Sequence, residues 1–135
     1  MQSKSPAVSR KHLKKMALDA WKCRENAFVI GNTKVGAAAL ASDGSLFVGC
    51  NVEHRYRAHD VHAEVSAIIS MVASGHTNLI ALVIAAKRRN FTPCGGCLDW
   101  IFQFGGPRCI VGFQSTKTGR LKIFRAKQLM PYYPE

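Results

Sequence analysis

The stretch that decides the fold runs from Val61 to Cys97 and carries a short motif at each end. It opens with Val61-His62-Ala63-Glu64-Val65 and closes with Thr92-Pro93-Cys94-Gly95-Gly96-Cys97. Imidazole nitrogen and thiolate sulfur are the ligands that tetrahedral Zn²⁺ sites use, and catalytic zinc sites keep one position for water. His62, Cys94 and Cys97 are therefore the predicted ligands of one zinc ion, with the fourth position open.

Glu64 lies two residues after His62, too close for a comfortable second ligand of the same metal. It is well placed instead to contact water at the open position, so we predict that Glu64 is the catalytic group. The alternative is a closed structural zinc, in which His54, His59 or a further cysteine supplies the fourth ligand. That alternative leaves Glu64 without a role.

Two helices are predicted to bring these ligands together. Apolar residues recur at helical spacing after His62, at Val65, Ile68, Ile69 and Val72, and this helix is predicted to end near Ser74-Gly75, with Gly75 as the C′ residue. The three-residue step from Cys94 to Cys97 lets both sulfurs converge if a helix begins at Cys94, and Pro93 suits a helix N-terminus. The positive ends of both helix dipoles would then favour thiolate over thiol.

The rest of the chain predicts an α/β protein. A helix is expected from Ser9 to about Arg24, with Ser9 as its N-cap. Two apolar runs flank Asp43-Gly44 and predict a hairpin, and the small residues before that turn indicate that another element packs closely there. Further strands are predicted at 79–86, 109–113 and 121–124, with a last helical turn at 126–130. The order α-β-β-α-β-α-β-β-α predicts three α/β/α layers around a mixed five-stranded sheet.

Composition limits the class of protein. With 135 residues, 47% of them hydrophobic and 20% charged, we expect one globular domain over 1–135, with residues 1–8 as a flexible basic lead-in. No apolar run reaches the ~18 residues of a membrane span. Two of the five cysteines belong to the motif, and the other three, Cys23, Cys50 and Cys109, lie at no regular spacing, which favours free thiols in a reducing cytoplasm. The net charge of +11 allows a nucleic-acid partner, although a solubility surface explains it equally well.

The ordered motifs resemble the cytidine deaminase family, in particular its small homotetrameric type and blasticidin-S deaminase. The resemblance covers about Leu13 to Tyr133 and is carried by Val35-Gly36-Ala37-Ala38, Asp43-Gly44, Gly49-Cys50-Asn51-Val52-Glu53, His62-Ala63-Glu64 and Pro93-Cys94-Gly95-Gly96-Cys97. It implies the cytidine-deaminase fold and one zinc ion per subunit of a homotetramer or homodimer. It also implies a hydrolase of pyrimidine salvage that converts cytidine, deoxycytidine or a related cytosine nucleoside to its uracil form and releases ammonia.

The resemblance also implies roles for individual residues. Asn51 and Glu53 would hold the ribose 3′-hydroxyl, and Glu64 would shuttle the proton. The backbone of Ala63 and the carbonyl near Thr92 would lie beside the pyrimidine edge and the leaving amine. For Asn51 and Glu53 the alternative is a turn at a strand end with a solvated acid. By the same resemblance, a C-terminal aromatic, Tyr132 or Tyr133, would reach a neighbouring subunit's site.

Two departures from the family pattern bear on the substrate. Many relatives have cysteine at the position of His62 and arginine at that of Val65. Both changes together keep the metal site neutral, because one imidazole and two thiolates balance Zn²⁺. Thr33 stands where nucleoside deaminases have a phenylalanine against the pyrimidine.

Thr33 favours a second hypothesis, a deaminase of a modified cytosine nucleoside or a cytosine nucleoside antibiotic. A third hypothesis is a polynucleotide editor, encouraged by the basic clusters Arg55–Arg57 and Lys87–Arg89. It is not favoured, because Asn51 and Glu53 would clamp a free 3′-hydroxyl that an internal nucleotide lacks. A module that only binds is disfavoured because Glu64 is present.

Overall fold

The computed structural model describes residues 8–134, in which four α-helices and five strands follow in the predicted order. The elements are α1 (Arg10–Arg24), β1 (Val35–Ala41), β2 (Leu46–Cys50), α2 (Ala63–Ala73), β3 (Leu79–Ala86), α3 (Gly95–Gly105), β4 (Ile110–Gln114), β5 (Lys122–Arg125) and α4 (Ala126–Leu129), with a 3-10 turn at Arg57–His59. Apart from Val8, the predicted flexible lead-in lies outside the described residues. Over the same range, no helix is both long and apolar enough to cross a membrane.

The five strands form one mixed sheet in the order β2-β1-β3-β4-β5. The β1–β2 hairpin turns through Gly44, whose φ of 94° lies in the left-handed region that favours glycine. β3 pairs antiparallel with β1 and parallel with β4, and β5 returns antiparallel beside β4. Seven of the eight residues of β3 are buried, as expected for a central strand covered on both faces.

Helices cover both faces of the sheet, which confirms the predicted three layers. The apolar stripe of α1 packs on one face, where Val83 and Ala85 of β3 point. Helices α2, α3 and α4 pack on the other face, against Leu82 and Ile84. The alternation of the strand residues thus divides the apolar side chains into two cores.

Two glycines set how closely the helices approach the sheet. A Cβ on Gly36 of β1 would lie 1.9 Å from the carbonyl oxygen of Ala20 in α1. A Cβ on Gly49 of β2 would lie 2.4 Å from the backbone nitrogen of Ala67 in α2. The predicted close packing at the small residues of β1 is therefore confirmed, and Gly49 plays the same part for the helix that carries the first motif.

The predicted helix ends are confirmed where capping residues are present. The Ser9 hydroxyl accepts a hydrogen bond of 3.1 Å from the backbone N–H of His12. Gly75, at φ 94°, ends α2 in a Schellman motif, with the N–H of His76 bonded to the Met71 carbonyl. These bonds satisfy carbonyl groups of the last turn of α2.

Candidate active site

The three predicted metal ligands meet at the N-termini of α2 and α3. The Nδ1 atom of His62 lies 3.2 Å from Sγ of Cys97 and 3.5 Å from Sγ of Cys94, and all three ligand atoms lie within 4.8 Å of one another. Bonds of about 2.0–2.3 Å in a tetrahedral zinc site separate N and S ligands by about 3.5 Å and two sulfurs by about 3.8 Å. A small expansion of the cluster therefore accommodates Zn²⁺.

Both motif helices begin one residue later than predicted. His62 and Cys94 are N-caps with extended backbone, and the first helical residues are Ala63 and Gly95. Pro93 consequently precedes the N-cap, whereas the prediction placed it directly before the first helical residue. The extended backbone releases the side chains of the two caps from the helix surface, and Sγ of Cys94 accepts the N–H of Cys97 at 3.5 Å.

The cluster has three protein ligands within the range 8–134. His54 and His59 are exposed and pack on each other, with ring centroids 4.9 Å apart, and they do not belong to it. The other cysteines of the chain, Cys23, Cys50 and Cys109, are free thiols outside it. The geometry therefore favours the open, catalytic type of site over the closed structural one.

Glu64 is the second residue of α2, and its side chain is buried beside the cluster, with 3% of the residue exposed. Burial raises the pKa of the Glu64 carboxyl, against the lowering effects of its own backbone N–H, the Cys97 thiol and the His62 charge. Burial, followed by the Glu64 charge, also raises the pKa of the Cys97 thiol far above its ordinary value. The thiolate form of this ligand therefore requires a cation next to it.

Asn51 ties the start of β1 to the end of β2. Its Oδ1 accepts the N–H of Val35 at 2.8 Å, and its Nδ2 donates to the carbonyl of Thr33 at 2.9 Å. The side chain is buried while it makes both bonds. Asn51 thus positions the segment that carries Thr33, a structural role that the sequence did not indicate.

Glu53 is held by a loop and by an arginine. Its Oε1 accepts the N–H groups of Ile30 and Gly31 at 2.6 and 2.8 Å, and its Oε2 pairs with Arg57 at 3.1 Å. The Gly31 amide, then the Ile30 amide, and further Arg57, lower the pKa of the Glu53 carboxyl. Arg57 also pairs with Asp60 at 2.9 Å. The carboxylate is therefore ordered by the protein, which excludes the alternative of a freely solvated acid.

A cleft of about 450 Å³ joins these groups. The predicted residues that line it are His62, Cys94, Glu64, Asn51, Glu53, Ala63 and Thr92. Cys97 is the predicted ligand outside that lining, since it is buried beneath the cleft. Sequence reasoning did not assign Asp60, Arg88, Arg89 or Phe91, which line the cleft as well. The basic cluster Lys87–Arg89 was the available signal for two of them.

Comparison with known proteins identifies the family. The family model for the cytidine and deoxycytidylate deaminase zinc-binding region matches residues 9–113. The chain belongs to this family. Its cofactor is zinc, and the cluster of His62, Cys94 and Cys97 fits that ion in donor type and spacing.

Individual members of the deaminase family resemble the chain over much of its length. The cytidine deaminase of Sporosarcina psychrophila is 34% identical over 94 residues, 68% of this chain and 69% of that one. The probable cytidine deaminase of Dictyostelium discoideum is 36% identical over 74 residues, 53% of this chain and 50% of its own length. The crystal structure of the Burkholderia pseudomallei cytidine deaminase superposes with a TM-score of 0.81 at 27% identity, covering 93% of this chain and 98% of that one. The predicted cytidine-deaminase fold is confirmed.

The two C-terminal tyrosines of the chain differ in their contacts and exposure. Tyr133 stacks on Phe102 of α3, with ring centroids 4.1 Å apart, and its hydroxyl donates to Asp99. Tyr132 is 94% exposed. Tyr133 thus anchors the end of the described chain to the helix that carries both cysteines, and contact of either tyrosine with a neighbouring subunit remains a prediction.

Proposed function

We propose that the protein hydrolyses the cyclic amidine of cytidine, deoxycytidine or a related cytosine nucleoside, giving the uracil form and ammonia. The observation that carries the proposal is an open three-ligand cluster with a buried carboxyl beside it, in a cleft large enough for a nucleoside. A closed structural zinc site has no use for that carboxyl.

Glu64 is the proposed general base and acid. Zinc bound at the cluster supplies the Lewis acidity that makes water a nucleophile near neutral pH. Glu64 accepts a proton from the attacking water and delivers it to N3 of the ring while the water oxygen bonds to C4. It then takes the remaining proton from the new C4 hydroxyl and gives it to the amino group, so that C4 becomes a carbonyl. The C4–N bond breaks, and ammonia leaves. Burial raises the pKa of the Glu64 carboxyl, which is the direction that suits a group that must both accept and release a proton.

The remaining predicted residues are proposed to orient the nucleoside. The backbone of Ala63 and the carbonyl near Thr92 face the pyrimidine edge and the leaving amine. An amide nitrogen carries two hydrogens, so Asn51 can bind the ribose 3′-hydroxyl while it donates to Thr33. Glu53 presents Oε2, oriented by Arg57, to the same hydroxyl. All four residues line the cleft, which supports these roles.

A second candidate is a modified cytosine nucleoside or a cytosine nucleoside antibiotic. The supporting observation is that Thr33 lines the cleft and its hydroxyl accepts a hydrogen bond of 2.5 Å from the Arg88 guanidinium. A polar pair therefore stands where an apolar aromatic contact with an unmodified base would be expected.

We extend the proposal to assembly and location. Apolar side chains are exposed on β2 and α2, namely Val48, Ile69 and Val72. A homotetramer or homodimer, with one zinc ion per subunit, would bury such positions. The three free thiols outside the metal cluster, at Cys23, Cys50 and Cys109, remain the basis for a predicted cytoplasmic location.

Ammonia release tests the function. Zinc-loaded protein is assayed with cytidine, deoxycytidine and a cytosine-containing single strand. We expect Glu64→Ala to retain zinc, measured by metal analysis, and to lose turnover by at least about 10²-fold. Glu25→Ala, at an exposed acid outside the cleft, is the matched control. Turnover by Glu64→Ala equal to that of the parent protein would refute the role of Glu64, and no deamination of any cytosine compound would refute the function.

A further inference from the structure

The three arginines that line the cleft differ in their partners. Arg57 pairs with Glu53 at 3.1 Å and with Asp60 at 2.9 Å, so its charge is compensated by two carboxylates. Arg88 and Arg89 form no ion pair with any residue of the described range. A ligand in the cleft therefore meets two guanidinium groups whose charge is not balanced by a carboxylate of the described range.

Arg88 lines the cleft and is linked to the proposed sugar site through Thr33. Its Nη2 donates to the Thr33 hydroxyl at 2.5 Å, and the Thr33 carbonyl in turn accepts the side-chain amide of Asn51 at 2.9 Å. Asn51 is the residue proposed to bind the ribose. The guanidinium is thus connected through Thr33 to the residue that is proposed to bind the ribose.

The segment that carries the two arginines is anchored to the sheet. The Ser115 hydroxyl donates to the carbonyl of Arg88 at 2.7 Å, and Nζ of Lys122 donates to the side chain of Asn90 at 2.9 Å. Asn90 has a φ of 52°, the left-handed conformation that reverses the chain after the arginines. The arginines are therefore presented by an ordered turn, so less conformational entropy is lost when they bind a ligand.

We propose that Arg88 and Arg89 form an anion subsite that binds a phosphate on the ribose, so that cytosine nucleoside 5′-monophosphates are preferred over free nucleosides. This inference rests on the proposed function of the same cleft. Guanidinium groups bind phosphate oxygens through parallel N–H bonds, and a phosphate monoester carries about −1.5 to −2 charges at pH 7. Two cations match that charge. The 5′ position follows because Asn51 and Glu53 are assigned to the 3′-hydroxyl.

The neighbouring residue Lys87 provides a matched control. It is an exposed cation adjacent to Arg88 in the chain, yet it does not line the cleft. A general attraction between the +11 protein and an anionic substrate would make all three cations equivalent. With a specific subsite, only substitution of Arg88 or Arg89 should weaken the binding of an anionic substrate, and substitution of Lys87 should not.

The test compares kcat/KM for cytidine 5′-monophosphate and for cytidine in Arg88→Gln, Arg89→Gln and Lys87→Gln, after thermal melting has shown that each variant is folded. We expect the ratio of the two values to exceed one in the parent protein. Each arginine variant should lower the ratio about 10- to 100-fold, because a charge-assisted contact is lost. Lys87→Gln should stay within about threefold, as for exposed surface charges. Equal ratios in all four proteins would overturn the subsite.

Calorimetric binding of the same two compounds to zinc-loaded Glu64→Ala separates failure of the subsite from failure of the function. If cytidine is deaminated but the monophosphate binds no tighter than cytidine, the subsite is wrong and the function stands. If nothing is deaminated, weaker monophosphate binding in the two arginine variants alone still supports the subsite, and unchanged binding overturns it. Preferential binding of a cytosine-containing single strand would overturn it in favour of a polynucleotide path over the same arginines.

Discussion

Substitution of Gly49 by alanine perturbs the metal centre through the packing of α2 on the sheet. A Cβ at this position would lie 2.4 Å from the backbone nitrogen of Ala67 and 2.6 Å from Oγ of Ser66. The Ser66 side chain can rotate away, but the backbone of α2 cannot. Since ordinary contact begins near 3.4 Å, the helix must move away from the sheet by about 1 Å at this turn.

This displacement would be transmitted to His62, which caps α2 one turn before Ser66. Distances in a zinc site tolerate changes of about 0.2 Å, so a shift of about 1 Å relative to the cysteines of α3 is several times too large. We expect zinc affinity to fall about 10- to 100-fold, the range typical of lost ligand support. The free energy of unfolding should fall by about 1–3 kcal/mol, as for other overpacked sites.

Gly36→Ala is the control for the loss of stability. A Cβ there would lie 1.9 Å from the carbonyl oxygen of Ala20, so this substitution displaces α1, on the opposite face of the sheet. Zinc affinity is measured by competition with a chromophoric chelator well below the melting temperature, and stability by urea unfolding. We expect Gly36→Ala to lose at least as much stability and to keep its zinc affinity. Parent-like zinc affinity in Gly49→Ala, or an equal loss in Gly36→Ala, would contradict this reasoning.

Two further predictions concern the wall of the cleft that the hairpin contributes. Asn51→Ala should lower the free energy of unfolding in urea by about 2–4 kcal/mol, because the N–H of Val35 and the carbonyl of Thr33 lose a buried partner; a loss below about 1 kcal/mol would speak against that role. The lowered pKa of Glu53 means that its stabilising contribution is present above the unfolded value of 4.5 and disappears as the pH falls through the folded value. Melting temperatures of the parent protein and Glu53→Gln, followed from pH 7 to pH 3, should therefore converge, and a constant gap would show that the carboxylate is not stabilised by its hydrogen bonds.

The elements that the sequence predicted correctly are those with local signals. The hairpin turn at Asp43-Gly44, the cap at Ser9 and the stop at Gly75 each depend on residues within a few positions of one another. The ligand cluster was predictable for a different reason, because few residue types bind zinc and their spacing along the chain is restricted. Both kinds of signal can be recognised without knowledge of the three-dimensional structure.

The roles of Asn51 and Gly49 were not predictable in this way. The two bonds of Asn51 reach residues 16 and 18 positions away, and they form only after β1 and β2 have paired. In the sequence, nothing distinguishes Gly49 from other small residues of a strand. Its role in the close approach of α2 to the sheet is apparent only in the folded structure. Such contacts depend on tertiary geometry, for which a single sequence contains no periodic or motif signal.

The ligand of the cleft is harder to predict than the metal cluster, as Arg57, Arg88 and Arg89 show. In the sequence all three are members of short basic clusters, and the net charge of +11 gives no reason to distinguish them. In the fold, Arg57 is compensated by two carboxylates of its own loop, whereas Arg88 reaches a threonine 55 residues away and has no acidic partner among residues 8–134. What an arginine can bind depends on the charge that remains after such pairing. The net charge of the chain therefore gives little indication of the substrate. The two arginines that have no acidic partner in the described range are the residues that indicate an anionic group on it.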